Sequence, residues 1–240
     1  AIGDSANTIY GCSVAIGSDT VATYQDVAIG WQAKATSNDG QSVAIGQEAT
    51  VEGANSYAIG SQSKIEKGAW ASIAIGREAK IGEKSNGAIA MGSSAKATGE
   101  YTTAIGQGAE TSANQSNAIG LSAKALGVNA NAFGTISVAE GVQSNAIGND
   151  AKAAACGANA IGVKSVGFGQ ASNAIGVGAT AGANYTNAMG YEAVAGGANS
   201  SAIGYQAVAG GENSNAMGYQ AKATANSSNA FGYQAYVNSN

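Results

Sequence analysis

Every fourteen residues or so, this sequence returns to the same triplet: alanine, then isoleucine, methionine or phenylalanine, then glycine. The triplet occurs seventeen times, and twelve of the sixteen spacings between its central residues are fourteen residues long. Self-similarity at a fixed short period is typical of proteins in which each repeat stacks on the next. Because repeats built from two helices need roughly 33 residues or more, the period predicts a solenoid of smaller coils.

The array has a part with irregular repeat spacing and a part with regular spacing. The irregular spacings, one of thirteen residues and three of sixteen, all lie in coils 16–91, counted by their central residues. The coils 105–231 are regular, with every spacing equal to fourteen. Since no linker or charge run interrupts the pattern, residues 1–240 are predicted to be a single β-roll repeat array of about 17 coils. The chain begins and ends inside a repeat, so we expect it to be a fragment.

Two alternating runs in each repeat predict two short strands. Positions within a repeat are counted as offsets from the central residue of the triplet. Small residues recur at +4 and +6 while Lys occupies +5 in seven repeats, as expected of a half-buried strand. The triplet itself lies in the other strand, and glycine at +1 permits a positive φ or a close approach in the turn. Stacked coils then pair as parallel strands, and the fold class is all-β.

Stacking places equivalent residues in columns. From Asn117 onward an asparagine column stands at −2, interrupted only by Ser201, and its amides can hydrogen-bond along the column. A single layer of isoleucine against alanine buries little apolar surface relative to the entropy lost on ordering the chain. We therefore expect the roll to oligomerise, and we expect the column of seventeen alanines to be the face that another chain approaches.

The composition excludes several classes of function. The chain has no histidine, so a Ser–His–Asp or Cys–His arrangement cannot exist, nor can a histidine metal site. The net charge of −4 disfavours nucleic acid as a partner, and no apolar stretch approaches a membrane span. We expect no enzyme activity, cofactor, bound metal or membrane contact by this segment. Paired carboxylates are the one catalytic arrangement that remains open.

The two cysteines, Cys12 and Cys156, lie ten repeats apart. One coil per repeat would place them on the order of 45 Å from each other, because adjacent strands are about 4.8 Å apart. A disulfide needs Cα atoms within roughly 7 Å, so an intrachain bridge is excluded. We interpret the two cysteines as small buried apolar residues, with a reactive or interchain thiol as the alternative.

The repeat motifs resemble a known family. "SVAIG" occurs at 13–17 and 42–46, and "SNAIG" occurs at 116–120 and 144–148. With a small residue three positions after the glycine, these motifs are similar to the head repeats of YadA-like trimeric autotransporter adhesins. The resemblance covers essentially the whole chain. It implies a left-handed parallel β-roll solenoid of 14-residue repeats that is homotrimeric and displayed on a bacterial cell surface.

The resemblance also implies a function. Heads of this family bind host matrix proteins such as collagen, fibronectin and laminin, or receptors of the CEACAM type. Anchoring to the outer membrane would use segments that this chain does not contain. A structural spacer that holds another binding domain away from the cell is the alternative, and a phage fibre segment is a more distant one.

Candidate partner-binding residues lie in and near the irregular coils. The extra residues fall near 36–41, 66–71 and 82–87, and loops on a rigid scaffold are common binding sites. Aromatic residues are enriched at binding hot spots. The candidates in this region are Trp31, Asp39, Lys67, Trp70, Glu83 and Lys84. The alternative is that these coils have drifted from the repeat, with the tryptophans packing locally.

A second candidate surface is a column of four tyrosines at offset +2, formed by Tyr191, Tyr205, Tyr219 and Tyr233. The column could be a stacking surface for protein or sugar. We favour the alternatives that its rings stack to stabilise the roll or contact a neighbouring chain. The Lys column at +5 could meet acidic ligands, although a solvated face that opposes edge-on aggregation is the favoured interpretation.

Overall fold

The computed structural model describes residues 1–37 and 40–238, which form two compact units, Ala1–Ser122 and Ala123–Asn240. Each unit is a parallel β-solenoid in which every coil after the first has a strand of three residues, a turn and a strand of two residues, with a second turn leading to the next coil, while the first coil has a single bridge at Ile2 in place of its three-residue strand. We call these the long strand and the short strand. The described residues contain no helix long and apolar enough to cross a bilayer. Whether the array is one domain stays a prediction.

The strands of the first unit alternate strictly along the chain. Its long strands are Val14–Ile16, Val27–Ile29, Val43–Ile45, Tyr57–Ile59, Ile73–Ile75, Ile89–Met91, Thr103–Ile105 and Asn117–Ile119. Its short strands are Asn7–Thr8, Val21–Ala22, Lys34–Ala35, Thr50–Val51, Lys64–Ile65, Lys80–Ile81, Lys96–Ala97 and Glu110–Thr111.

The second unit repeats this arrangement. Its short strands are Lys124–Ala125, Val138–Ala139, Lys152–Ala153, Val166–Gly167, Thr180–Ala181, Val194–Ala195, Val208–Ala209, Lys222–Ala223 and Tyr236–Val237. Its long strands are Asn131–Phe133, Asn145–Ile147, Asn159–Ile161, Asn173–Ile175, Asn187–Met189, Ser201–Ile203, Asn215–Met217 and Asn229–Phe231. The predicted fold class of an all-β parallel solenoid with a 14-residue period is confirmed.

Equivalent residues pair with each other in parallel register. Ala44 pairs with Ala58 across a spacing of fourteen residues, and Ala58 pairs with Ala74 across a spacing of sixteen. The ladder therefore stays in register where the repeat is longer than usual. Because a slip of one residue would exchange the two faces of a strand, the extra residues must be accommodated in a turn.

The interior of each coil is lined by small side chains at four offsets: −3 and −1 on the long strand side, and +4 and +6 on the short strand side. These positions are mostly alanine, serine and threonine, and most of their side chains are fully or nearly fully buried. The largest buried apolar side chains are Val51, Ile65 and Ile81, all at +6 in the first unit. The two sheets of a coil therefore lie close together, and large residues at most inward positions would overpack the space between them.

The prediction that the alanine column is an outer surface is wrong. The alanines preceding the central residues are at most 1% exposed from Ala15 to Ala230, so they form the core of the coil. The central residues themselves point outward, and Ile119 is 42% exposed. Hydrophobicity ranks isoleucine as the more buried residue, but the space inside the coil accepts only the smaller side chain.

Glycine at +1 meets both of its predicted requirements. Gly46 has a φ of +133°, a value that L side chains rarely adopt. A Cβ atom on Gly46 would also lie 2.5 Å from the carbonyl oxygen of Gly60 in the next coil. The glycine column thus permits both the sharp turn and the close stacking of coils. Non-glycine residues at +3, such as Gln62 with a φ of +58°, also adopt the left-handed conformation.

Candidate functional site

The three lengthened repeats carry their extra residues in the same segment of the coil. Each insertion lies between a short strand and the following long strand, in residues 36–42, 66–72 and 82–88. The corresponding turn between the first two insertions, residues 52–56, has the usual five residues. The parallel register stacks the turns 52–56, 66–72 and 82–88 one above another, so that the insertions at 66–72 and 82–88 project from a single edge.

The structure brings four of the predicted binding residues together at this edge. Lys67 and Trp70 lie in one inserted turn, and Glu83 and Lys84 lie in the next, with all four side chains exposed. The backbone N–H of Lys84 donates a hydrogen bond of 3.2 Å to the carbonyl oxygen of Lys67. The two inserted turns are therefore stacked in contact, so their side chains form one surface.

Trp70 combines a fixed backbone with a free ring. The backbone N–H of Trp70 donates to Oδ1 of Asn86 at 3.2 Å, and its carbonyl oxygen accepts from the backbone N–H of Gly87 at 3.0 Å. The next residue, Ala71, donates its N–H to the carbonyl oxygen of Ala54 at 3.0 Å. The Trp70 side chain nevertheless remains 53% exposed. An exposed aromatic residue on an ordered backbone can contact a partner with little loss of conformational entropy.

Trp31 lies at a different place from Trp70. It follows the long strand Val27–Ile29, whereas Trp70 precedes the long strand Ile73–Ile75. Because the long strands are parallel, the two tryptophans lie at opposite ends of these strands. Trp31 is 47% exposed and so remains available to a separate contact. Asp39 lies outside the described residues.

A groove of about 500 Å³ runs along the edge that carries the insertions. It lies where the five-residue turn 52–56 is stacked against the seven-residue turn 66–72. Its lining residues are Thr36, Glu52, Gly53, Ala54, Lys67, Gly68 and Trp70. The spacing of the triplets predicted the insertions, but it did not predict the groove beside the short turn 52–56.

The tyrosine column of the second unit is a continuous stack. The ring centroids of Tyr191, Tyr205, Tyr219 and Tyr233 follow each other at 5.1, 5.0 and 5.2 Å, with interplanar angles of 5–8°. Each inner ring covers the faces of its neighbours, so the column presents ring edges and hydroxyl groups to a partner. A hydrogen bond with the Glu192 carboxylate is the main cause that raises the pKa of Tyr191.

An amide column runs beside the tyrosines. Nε2 of Gln206 donates to Glu192 at 2.7 Å, Gln220 donates to Gln206 at 3.0 Å, and Gln234 donates to Gln220 at 3.1 Å. A second groove, of about 900 Å³, lies between this column and the side chains of Val208, Lys222 and Tyr236. The amides on its wall are already hydrogen-bonded to each other.

The asparagine column predicted at −2 is confirmed within the second unit. Nδ2 of each asparagine from 131 to 173 donates to Oδ1 of the asparagine one coil later, at 2.8–2.9 Å. The column resumes between Asn215 and Asn229 at 2.8 Å, after the coil that carries Ser201. Each amide thereby satisfies part of its hydrogen-bonding capacity within the chain.

The long-strand sheet presents an outward face that is largely apolar. In the first unit the residues at −2 are mainly valine and isoleucine, and those at 0 are isoleucine and methionine. Ile16, Ile59, Met91 and Ile119 are each between 37% and 42% exposed. In the second unit asparagine replaces most of the apolar residues at −2. This outward face, which we call the isoleucine face, is where sequence reasoning placed the core.

Two further features differ from expectation or were missed. Cys12 and Cys156 are both free and exposed, so their interpretation as buried apolar residues is wrong. Tyr10 and Tyr24 stack with ring centroids 4.1 Å apart, and their hydrogen bond raises the pKa of Tyr24. The separation of these tyrosines by fourteen residues was the signal that could have revealed the pair.

One buried carboxylate stands among the small core residues. Asp26 occupies offset −3, which is serine, threonine or alanine in the other coils, and it is fully buried. It accepts hydrogen bonds from Thr23 and Ser37 hydroxyl groups and from the Ser42 N–H. Desolvation by burial raises the pKa of this carboxyl group. The described residues contain no group of three or more acidic, cysteine or histidine side chains that could hold a metal ion.

These features define a class of protein in which stacked coils present columns and inserted turns at their surface. The sequence profile described as the YadA head domain repeat matches residues 40–63, 84–109, 97–123, 118–144, 185–207 and 209–235. The matched segments cover more than half of the chain, so the chain belongs to the YadA head family, and the resemblance is confirmed. None of the curated proteins matches the sequence. The family indicates an adhesin-type function at a bacterial surface.

Proposed function

We propose that this chain is the head of a bacterial surface adhesin that binds a host matrix protein or a cell-surface receptor without catalysis. The candidate partners are collagen, fibronectin, laminin and receptors of the CEACAM type. The observation that supports the proposal best is the shared edge of the inserted turns, where Lys67, Trp70, Glu83 and Lys84 lie exposed on an ordered backbone. Outer-membrane anchoring would be the task of segments beyond this chain.

Trp31 and the tyrosine column are proposed as separate contacts. Trp31 lies at the opposite end of the long strands from the inserted turns. A partner bound at the inserted turns would therefore contact Trp31 only through a second subsite or through the Trp31 of another chain. The tyrosine column offers hydroxyl groups and ring edges. These groups suit polar contacts with a protein better than stacking, because the inner ring faces are already covered.

The isoleucine face supports a proposal of self-association as a homotrimer. A row of half-exposed isoleucine and methionine side chains on consecutive coils is unusual on a protein that stays monomeric. In a symmetric assembly the same face of each chain would be buried around a common axis. The apolar residues at −2 in the first unit would supply most of the hydrophobic contact.

The test is binding of the 240-residue chain to immobilised collagen, fibronectin, laminin and CEACAM ectodomains, with its mass in solution measured in parallel. One variant replaces the inserted turns 66–72 and 82–88 with the five-residue sequence of 52–56. In a matched control the sequence of residues 196–200 replaces that of residues 182–186, and both segments are five-residue turns of the second unit. Saturable binding that the first variant loses and the control keeps supports the adhesin. A chain that binds none of the panel contradicts it and favours the structural spacer.

A further inference from the structure

The groove along the inserted edge lies where a short turn meets a longer one. The turn 52–56 has five residues, the turn 66–72 of the next coil has seven, and both contribute to the lining of the groove. The groove has a volume of about 500 Å³, which lies within the range of small-ligand sites, roughly 300–1,000 Å³.

Gly53 allows the turns 52–56 and 66–72 to pack closely against each other. A Cβ atom at this position would collide with the carbonyl oxygen of Ala69 in the turn 66–72. The close packing therefore depends on the absence of a side chain at Gly53, which is itself buried. Since Trp70 follows Ala69 in the chain, a displacement of Ala69 would also move the tryptophan.

The groups that line the groove are complementary to a neutral polyol. Glu52 supplies a carboxylate acceptor, Lys67 supplies an ammonium donor, and Thr36 supplies a hydroxyl group that both donates and accepts. Among the residues that the structure describes, the side chains of Glu52 and Lys67 have no ion-pair or hydrogen-bond partner. Their hydrogen-bonding capacity is therefore available to a ligand.

The charges in the groove argue against a charged ligand. Among the described residues that line it, the one carboxylate and the one ammonium group cancel, so an anion would meet Glu52 and a cation would meet Lys67. The remaining large group is the half-exposed indole ring of Trp70, held on a fixed backbone. A flat aromatic ring packs well against the C–H face of a pyranose, while the ring hydroxyls of the sugar pair with the polar groups around it.

We propose that this groove binds a neutral oligosaccharide carried by the host protein to which the head adheres. The proposal rests on the proposed function of adhesion and names a ligand class for the inserted edge. Trp70 provides the stacking surface, Glu52 and Lys67 bind hydroxyl groups, and Gly53 preserves the close packing of the two turns that line the site.

The experiment measures binding of free oligosaccharides to the intact 240-residue chain by calorimetry. The neutral probes are N-acetyllactosamine, chitotriose and mannotriose, and the charged probes are sialyllactose and a heparin tetrasaccharide. We expect saturable binding of at least one neutral probe, and at least about tenfold weaker binding in the variants Trp70→Ala and Glu52→Ala. Phe168→Ala is the matched control, because Phe168 is also 53% exposed but lies in the second unit.

A second variant guards against effects of lost side chains. Gly53→Ala removes no lining group but forces the turn 66–72 to move, so we expect it to weaken binding of the same neutral probe. Circular dichroism would establish that the solenoid is intact in each variant. Failure of every neutral probe to bind, or equal binding by native chain and Trp70→Ala, would overturn the proposal.

Glycan removal separates this inference from the proposed function. The chain is tested against the same matrix and receptor panel before and after enzymatic removal of the glycans. Loss of binding after deglycosylation, with competition by the free neutral sugar, supports the groove as a glycan site. Equal binding to the deglycosylated protein overturns the glycan proposal and leaves the adhesin intact. Sugar binding without binding to any panel member supports the groove and contradicts adhesion to those proteins.

Discussion

The carboxylate of Asp26 accepts a hydrogen bond of 2.9 Å from the backbone N–H of Ser42, sixteen residues further along the chain. The Thr23 and Ser37 hydroxyl groups donate to the same carboxylate at 3.1 and 3.0 Å. Asp26 thus joins its own turn, residues 23–26, to Ser37 and Ser42 of the next coil, at a point where the repeat spacing changes from thirteen to sixteen. A small polar side chain such as serine would reach fewer of these donors.

Replacing Asp26 tests this arrangement. Asp26→Ala should lower the free energy of unfolding by about 1–3 kcal/mol, because buried donors lose their acceptor. The raised pKa of Asp26 means that the folded state holds the proton more tightly than the unfolded chain, and this sets the direction of the pH dependence. Its contribution to stability is therefore greatest below the ordinary value of 3.8 and declines as the pH rises through the folded pKa. Urea unfolding on both sides of that pH, with Asp26→Asn as the variant that lacks this dependence, measures the effect.

Glu66 should show the opposite pH dependence. Its carboxylate pairs with Lys80 at 2.8 Å and with Lys64 at 3.3 Å, and the hydrogen bond from Lys80 is the main cause that lowers its pKa. The stabilisation is present above the ordinary value of 4.5 and is lost as the pH falls through the folded pKa. Because both lysines are exposed, Glu66→Gln should cost only about 0.2–1 kcal/mol, and less at high salt. Glu140→Gln, which removes one exposed pair with Lys152, should have a smaller effect in the same unfolding assay.

The glycine column can be tested with two glycines of the second unit. Gly204 has a φ of +135°, and a Cβ atom there would collide with the carbonyl oxygen of Gly218. Gly204→Ala should therefore destabilise the chain by at least about 1–3 kcal/mol. At Gly196 the nearest atoms to a Cβ are 3.9 Å away, so Gly196→Ala should leave the melting temperature unchanged or slightly raised. Equal effects of the two variants would contradict the stacking role of the column.

Substitutions in the asparagine column should lower the free energy of unfolding in proportion to the number of hydrogen bonds that they remove. Asn159 hydrogen-bonds to Asn145 on one side and to Asn173 on the other, whereas Asn187 accepts from Asn173 at the end of the run. Asn159→Ser removes two hydrogen bonds of the column and a longer one of 3.4 Å to the carbonyl oxygen of Gly157, so it should cost at least twice as much as Asn187→Ser, at about 1 kcal/mol per bond of the column. Chemical unfolding of the two variants measures the ratio. A larger effect at Asn187 would show that hydrogen bonding within the column is not what stabilises it.

A charged substitution on the isoleucine face should change the mass of the assembly in solution and leave the fold of each chain largely unchanged. Ile119 points out from this face and is 42% exposed, whereas Leu121 is 48% exposed in the following turn. Ile119→Asp should weaken self-association, because it places a charge in the proposed interface. Leu121→Asp, a substitution of similar exposure away from the face, should leave the assembly intact. Analytical ultracentrifugation distinguishes the two, and equal masses for both variants would contradict the proposed interface.

Much of the candidate site could be anticipated from spacing. The longer intervals between triplets located the insertions that carry Lys67, Trp70, Glu83 and Lys84, and the structure places these four residues at one edge. The groove beside Gly53 could not be predicted, because it depends on the close packing of the Ala69 carbonyl against a turn from another coil. The buried environment of Asp26 was equally hidden, since an isolated acidic residue in the sequence carries no sign of its hydrogen-bond partners.

The repeat pattern alone was enough to predict the coil, its two strands and its parallel register, because so short a period with alternating residues has few other ways to satisfy its backbone. The asparagine and tyrosine columns followed directly, since identical spacing places identical side chains in contact. Which face of the long strand lies inside depended instead on packing in three dimensions. Alternation shows that Ala118 and Ile119 point in opposite directions, but the narrow space between the two sheets selects the alanine for the core and leaves the isoleucine outside.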